Sequence, residues 1–219
     1  MEQNVLRPSP RYRLFRRQDL PQLEELFKSF APEIAGLRSP RLYEALVKDA
    51  VSNRDIVVIV AEERSSLIGF NMTIIGRRRF IRNFVLGHPL LSLRIAAAKI
   101  LKPRREPAAR LPIGAMSPFV SPGNSGRSWK DASPEIAKIL WTGVREEYRG
   151  RRISSGIGEH LLRVLKDRGV RRVDVLVDPW NLPSVRLTRA LDFRIERRRG
   201  RLFGSMDFVK KTEPSPEET

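Results

Sequence analysis

A chain of 219 residues is long enough to bury a real core as one domain, and 41% hydrophobic with 31% charged residues reads as soluble and globular. The absence of cysteine excludes a disulfide framework, a thiolate metal site and a cysteine nucleophile, and the two histidines, His88 and His160, are too few and too scattered for a zinc constellation. Lys and Arg outnumber Asp and Glu by 42 to 25, and the net charge of +17 favours contact with polyanions (nucleic acid, anionic lipid or an acidic substrate) without choosing among them, although a compositionally biased genome would leave the same mark.

No apolar run has the length of a membrane span. The first residues, MEQNVLRPSPRYRLF, lack the apolar core of a secretory signal and carry an acid early, so a cytoplasmic protein is expected. Arg11 to Arg16, RYRLFR, reads as a short strand. Asp19 and Pro21 then form a helix start, because aspartate caps orphan amides and proline fits the first turn. Leu20, Leu23, Leu26, Phe27 and Phe30 keep helical spacing behind it. A second helix is predicted over Arg41–Val51, with Leu42, Ala45, Leu46 and Val47 inward. Ile56–Ala61 is a nearly continuous apolar strand, Ser65-Ser66 a turn, and Leu67–Ile75 the next strand, with Gly69 as a bulge.

Residues 77–130 break this compact rhythm as a long basic insertion between the third and fourth strands. Nine Lys and Arg residues fall from Arg77 to Arg105 without one acid, around the apolar stretch FVLGHPLLSLRIAAAKIL from Phe84 to Leu101. Such a segment is too short and too charged to cross a bilayer. A basic, apolar helix there suits the headgroup plane of an anionic membrane, and the bland alternative is a helix packed on the domain or on a second subunit of a homodimer. Nucleic acid is not expected there. Pro103 to Pro134 is rich in Pro, Gly and Ser and reads as a long surface loop, either a lid or a plain tether, in which Met116, Phe119 and Trp129 are the apolar residues able to close over a site.

Ile139–Val144 is a short apolar strand that ends in the turn Tyr148-Arg149-Gly150-Arg151-Arg152-Ile153-Ser154. Ile153, Ile157, Leu161, Leu162 and Leu165 then recur at helical spacing, and Gly169 closes the helix. Val173, Val175 and Val177 alternate as a strand, and a second short helix runs from Leu182 to Leu191. Amides at a helix start lack intrahelical partners and carry the positive end of the dipole, so this turn suits a pyrophosphate. Gly150 lets the backbone approach an anion, and the three arginines add forked donors. A solvated basic turn is the competing reading. Arg194 to Val209 is predicted as a last strand pair turning at Arg199-Gly200-Arg201, and residues 210–219 as an acidic tail.

The order of these elements and their spacing resemble the Gcn5-related N-acetyltransferase (GNAT) superfamily. Its loop is written Arg/Gln-x-x-Gly-x-Gly/Ala, after a strand ending in Val five residues earlier. Val144 stands five before Arg149, and the family's later Asn-to-Phe signature falls on Asn181, Ser184, Leu187, Thr188, Asp192 and Phe193. Arg152 and Ser154 replace the two small loop residues, and Thr188 replaces the tyrosine that in many relatives protonates the departing thiolate. Lys138 occupies a place where some relatives carry a glutamate base. Sliding the loop pattern onto Gly156-Ile157-Gly158 loses Arg149 and misplaces Val144, so that register is rejected.

The resemblance implies an α/β fold, a single GNAT-like domain over 1–219 with a central mixed sheet flanked by helices. It implies acyl transfer from acetyl-CoA, or another acyl-CoA, as co-substrate to an amine of a small-molecule acceptor, without a metal. The pyrophosphate is expected on Arg149, Gly150, Arg151, Arg152, Ile153 and Ser154, the pantetheine arm along Thr142 and Val144, and Asn181 at the cofactor or an ordered water. The catalytic base remains open among Glu135, Asp178, Lys138 with a lowered pKa, and a water chain, with Glu135 favoured; Thr188 can only donate a hydrogen bond. Lys138 further suggests an anionic acceptor such as an amino sugar or a lipid-linked precursor, which would place the protein at the inner face of the membrane. In relatives the first two helices shape the acceptor pocket, so specificity residues are expected between Phe30 and Tyr43. Two other readings stand beside the enzyme: a non-catalytic acyl-CoA-binding regulator or scaffold, and a protein- or ribosome-associated N-acetyltransferase.

Overall fold

The computed structural model describes residues 9–30, 40–93, 133, 135–198 and 201–208. Most of the segment expected to set acceptor specificity, the loop holding Met116, Phe119 and Trp129, and the tail lie outside the described residues. In chain order the elements are β1 (Arg11–Leu14), α1 (Leu20–Phe30), α2 (Pro40–Ser52), β2 (Ile56–Glu63), β3 (Ser66–Ile75), α3 (Arg77–Gly87), β4 (Ile136–Val144), α4 (Ile153–Asp167), β5 (Arg172–Val177), α5 (Leu182–Ala190), β6 (Arg194–Arg198) and β7 (Arg201–Asp207). The strands form one sheet of order β1-β2-β3-β4-β5-β7-β6. Only β4 and β5 run parallel; the remaining neighbours are antiparallel.

Both sheet faces are covered, which explains why β2 and β3 read as continuous apolar runs rather than alternating ones. On one face Val58, Val60, Phe70, Met72, Ile74 and Trp141 pack against Leu23, Leu26 and Phe27 of α1 and Leu46 of α2. On the other, Val57, Ile59, Ile68, Ala137, Val144 and Val173 meet Ile153, Ile157, Leu161 and Leu165 of α4. Each such buried side chain contributes roughly 1.5–3 kcal/mol relative to exposure. The first helix of the insertion belongs to the domain: α3 packs Phe80 and Phe84 into the α1/α2 layer. Arg79 pairs with Asp55 at the start of the hairpin, which ties the helix down further.

Two irregularities interrupt the regular pairing of the sheet. Across β2 and β3, Ala61 faces Gly69 and Glu62 faces Leu67, so the extra residue is Ile68, beside the glycine expected to bulge. Across β3 and β4, Met72 faces Trp141 while Thr73 faces Ile139, which leaves Leu140 as the extra residue of β4. Pairing between β4 and β5 stops at that place, with Ile139 opposite Val175. Beyond it the two parallel strands part.

Candidate functional site

The parting of β4 from β5 opens a cleft. Ile139 to Gly143 form one wall and Val175 to Asp178 the other, with Ser154 and Gly158 of α4 and Asn181, Ser184 and Thr188 of α5 at its end. Arg145 donates its N–H to Ile68 O of β3, so by strand alternation the main-chain groups of Val144 and Thr142 point the other way, towards the open edge of β4. An extended ligand arm could add there as a strand does.

The turn entering α4 lies at the end of this edge. Gly150 has φ +79° and Arg152, the residue before the helix, φ +58°. Arg152 therefore adopts the left-handed conformation that a glycine would take without strain, and the physical demand of that position is visible although its side chain is not a glycine's. Asp192 repeats the case at the family's closing glycine, with φ +59°. Among the described residues the N–H groups of Gly150, Arg151, Arg152, Ile153 and Ser154 have no main-chain acceptor. The α4 dipole adds partial positive charge at the same point. These residues fit a pyrophosphate.

The three arginines of the turn do different things. Arg149 reaches back with Nε 3.4 Å from Val144 O, fastening the turn to the end of β4. Arg151 forms a two-point contact with Glu63, at 2.5 and 3.4 Å, and its guanidinium lies 5.1 Å from the Tyr148 ring centroid. Arg151 thus braces the turn. The Arg151 guanidinium holds the Glu63 carboxyl below its ordinary range, against the opposing effect of burial.

Of the residues expected to act on the acyl group, the cleft gathers Thr142, Asn181 and Thr188, together with Asp178. Asn181 caps α5, its Oδ1 accepting from Ser184 N at 3.2 Å, so its position is set by helix geometry. Thr188 donates its hydroxyl proton to Ser184 O at 2.8 Å. That proton is committed to the helix, and Thr188 offers the cleft an oxygen lone pair rather than a donor, contrary to expectation.

Glu135 and Lys138 do not line the cleft. Glu135 precedes β4 and pairs with Arg171 at 3.4 Å. At about 3.3 Å per strand residue it lies roughly 20 Å from Thr142. Lys138 is 1% exposed, inside the sheet, opposite Asp174 in the β4–β5 register. Strand alternation turns it to the face opposite that of its neighbour Ile139, where the cleft wall begins. Asp178 follows the last residue of β5, reaches the cleft, and has Oδ1 3.6 Å from Arg201 Nε.

The rejected loop register is a packing feature. A Cβ on Gly156 would overlap the Tyr12 ring, and one on Gly158 would stand 2.5 Å from Leu191. These glycines let β1 and the residue after α5 approach the helix. Sequence reading missed Asn71 and Thr73, two polar residues spaced by two in the apolar strand SLIGFNMTII. That spacing puts both on one face and was the available signal.

The comparisons with known proteins agree with this architecture. Residues 112–193 match the model of the acetyltransferase (GNAT) family. No curated protein matches the chain in sequence. Among solved structures, the PaiA N-acetyltransferase of Thermoplasma acidophilum in complex with coenzyme A is 15% identical with TM-score 0.52, the alignment covering 92% of this chain and 100% of that one. NAA60 of Arabidopsis thaliana, in complex with acetyl-CoA, is 19% identical with TM-score 0.55, covering 91% and 99%. AAC(6')-Iy, in complex with a bisubstrate analog, is 15% identical with TM-score 0.56, covering 87% and 95%. At these identities the likeness is one of fold.

Proposed function

We propose that this chain, which carries the GNAT fold and a GNAT acetyltransferase segment, transfers an acetyl group from acetyl-CoA to the primary amine of a small acceptor. The observation that carries the reading is the splayed end of β4 and β5 beside the uncommitted amides of the turn before α4. Those amides take the pyrophosphate, and the open edge at Thr142 and Val144 aligns the acyl-bearing arm. An amide of the same edge meets the negative charge that develops on the thioester oxygen. The amine nitrogen bonds to the acyl carbon as the carbon–sulfur bond breaks, and the amine proton leaves to a base.

Asp178 is the base this geometry favours, because among the protein groups considered it alone lines the cleft. Thr188, its proton donated to Ser184, leaves the thiolate to be protonated by solvent or by the returning acceptor proton. Arg201, part-exposed beside Asp178, suits an acceptor bearing a phosphate or carboxylate near its amine, such as an amino sugar phosphate or a lipid-linked precursor. The acceptor's anionic group thus falls to Arg201 and not to the buried Lys138. Thiol release over a panel of amines with and without a neighbouring anion tests this. Loss of turnover by about a hundredfold in Asp178→Asn with unchanged acetyl-CoA affinity is expected, and full activity of that variant would sink the assignment.

The start of the insertion supports contact with an anionic membrane. Leu86, Leu90 and Leu93 are 73%, 77% and 66% exposed, near the exposed Arg78 and Arg82. Among the described residues no helix is long and apolar enough to cross a bilayer. Co-sedimentation with phosphatidylglycerol vesicles, lost in Leu86→Ser/Leu90→Ser, is the expected result; equal pelleting of the variant would remove this contact from the account. Two other outcomes of the amine assay would redirect the reading. Acetyl-CoA binding without turnover on any amine favours the regulator, for which the committed Thr188 proton is the motive. Turnover on peptide amines alone favours a protein N-acetyltransferase.

A further inference from the structure

From the buried interior to the cleft wall, three side chains on β3 and β4 form a hydrogen-bonded chain. Thr73 donates its hydroxyl to Asn71 Oδ1 at 2.7 Å, and Asn71 Nδ2 donates to Thr142 Oγ1 at 2.7 Å. Thr73 is fully buried, Asn71 lines the floor of the cleft at 2% exposure, and Thr142 is exposed on the cleft wall. All three sit on the α4 face of the sheet: Asn71 and Thr73 at alternate positions of β3, and Thr142 on β4 directly opposite Asn71. A polar pair at Asn71 and Thr73, buried in a strand otherwise apolar from Leu67 to Ile75, is expensive unless its groups are matched.

The chain has a direction. A threonine hydroxyl carries one proton, and Thr142 Oγ1 accepts one from Asn71. Its own proton then turns away from β3, and the direction left to it is the cleft. We infer that Asn71 is a positioning residue that holds Thr142 as a hydrogen-bond donor to a carbonyl oxygen of the acyl-pantetheine arm. The inference rests on the acetyltransferase reading, and it adds two residues of the neighbouring strand to the cofactor site. The arm offers two kinds of carbonyl, the amides of pantetheine and the thioester itself, and the same donor serves either.

Calorimetric titration of the full chain with acetyl-CoA and with free CoA tests it. Thr142→Val keeps the shape and removes the donor, Thr142→Ser keeps the donor, and Asn71→Leu removes the group that orients it. Thr142→Val is expected to bind acetyl-CoA about three- to tenfold more weakly, the loss of one neutral hydrogen bond, with Thr142→Ser within about twofold of wild type. Asn71→Leu should show a similar loss, and the double variant no further loss, because both changes remove one interaction. A loss shared by free CoA assigns the amide carbonyl, and one confined to acetyl-CoA the thioester. Equal binding by Thr142→Val, or losses that multiply in the double variant, overturns the inference while leaving the acetyltransferase reading intact. A wild-type chain that binds neither ligand overturns both. Thr142, being exposed, decides the matter alone if Asn71→Leu fails to fold.

Discussion

Arg151, in the turn before α4, reaches Glu63 at the end of β2 with Nη2 2.5 Å from Oε1. The contact spans 88 residues of sequence and joins the turn before α4 to the antiparallel half of the sheet. Paired in this way, Glu63 titrates below its ordinary value, chiefly through the Arg151 hydrogen bond. A carboxylate with a depressed folded pKa contributes stability that is present above its unfolded pKa and is lost as pH falls through the folded one. Glu63→Gln should therefore melt lower than wild type at pH 7 and approach it near pH 3. Parallel melting curves at the two pH values would mean that the pair carries no net stability.

Arg152 holds φ +58° at the entrance to α4. The left-handed conformation costs an L-residue about 1 kcal/mol, which glycine does not bear. Arg152→Gly is expected to raise the melting temperature by about 2 °C and, under the proposed function, to retain acetyl-CoA binding, since main-chain amides would hold the pyrophosphate. The converse substitution, Gly150→Ala at φ +79°, should lower stability by about 1 kcal/mol through conformation alone, as no atom lies within 4 Å of the added Cβ. Differential scanning fluorimetry with and without acetyl-CoA reads both.

Gly156 admits the ring of Tyr12 against α4. A methyl group at that position overlaps the ring and must displace it, and Gly156→Ala should destabilise by about 1–3 kcal/mol in urea. Combined with Tyr12→Ala the cost should fall short of the sum of the singles. Strict additivity would show that β1 does not pack there.

Lys138 stands opposite Asp174 within the sheet, both buried, and Arg172 Nε lies 3.1 Å from the Asp174 carboxylate. Removing one charge of such a buried group is a stability event. Lys138→Met is expected to lose on the order of 3 kcal/mol of folding free energy while leaving the acceptor KM of the folded fraction unchanged. A raised KM without destabilisation would return Lys138 to the acceptor site.

Glu135, roughly 20 Å from Thr142 by strand geometry and outside the cleft lining, should be dispensable. Glu135→Gln is expected to turn over within about twofold of wild type at every pH tested. A hundredfold loss there would contradict the placement of the base at Asp178.

Much of this architecture was legible from local pattern. The periodicity of Ile153, Ile157, Leu161 and Leu165 marks the buried stripe of α4, and Gly169 ends it with φ +74° and a Val170 N–H to Leu165 O bond. Val144 and Arg149 lie close in sequence, so the turn between them could be read from spacing, and their 3.4 Å contact is local. The roles at the chemistry were less legible. Thr188 donates to a carbonyl one helical turn away, and nothing in its neighbours reveals where a hydroxyl proton will go. Lys138 and Glu135 stand in or beside a strand whose register shifts at Leu140, and a one-residue bulge changes which side chains face the cleft without changing the residues themselves.

The elements, the turn before α4 and the family resemblance were all written in the order of residues, because they depend on interactions between positions a few apart, where periodicity and spacing act. The folded sheet was needed to establish that Asp178 and not Glu135 reaches the cleft, that Arg151 belongs to Glu63, and that Asn71 stands behind Thr142. The last two pairings join segments far apart in the chain, and all three facts depend on the strand order and its two bulges. Register between strands distant in sequence is set by how the whole sheet packs, and no local pattern encodes it.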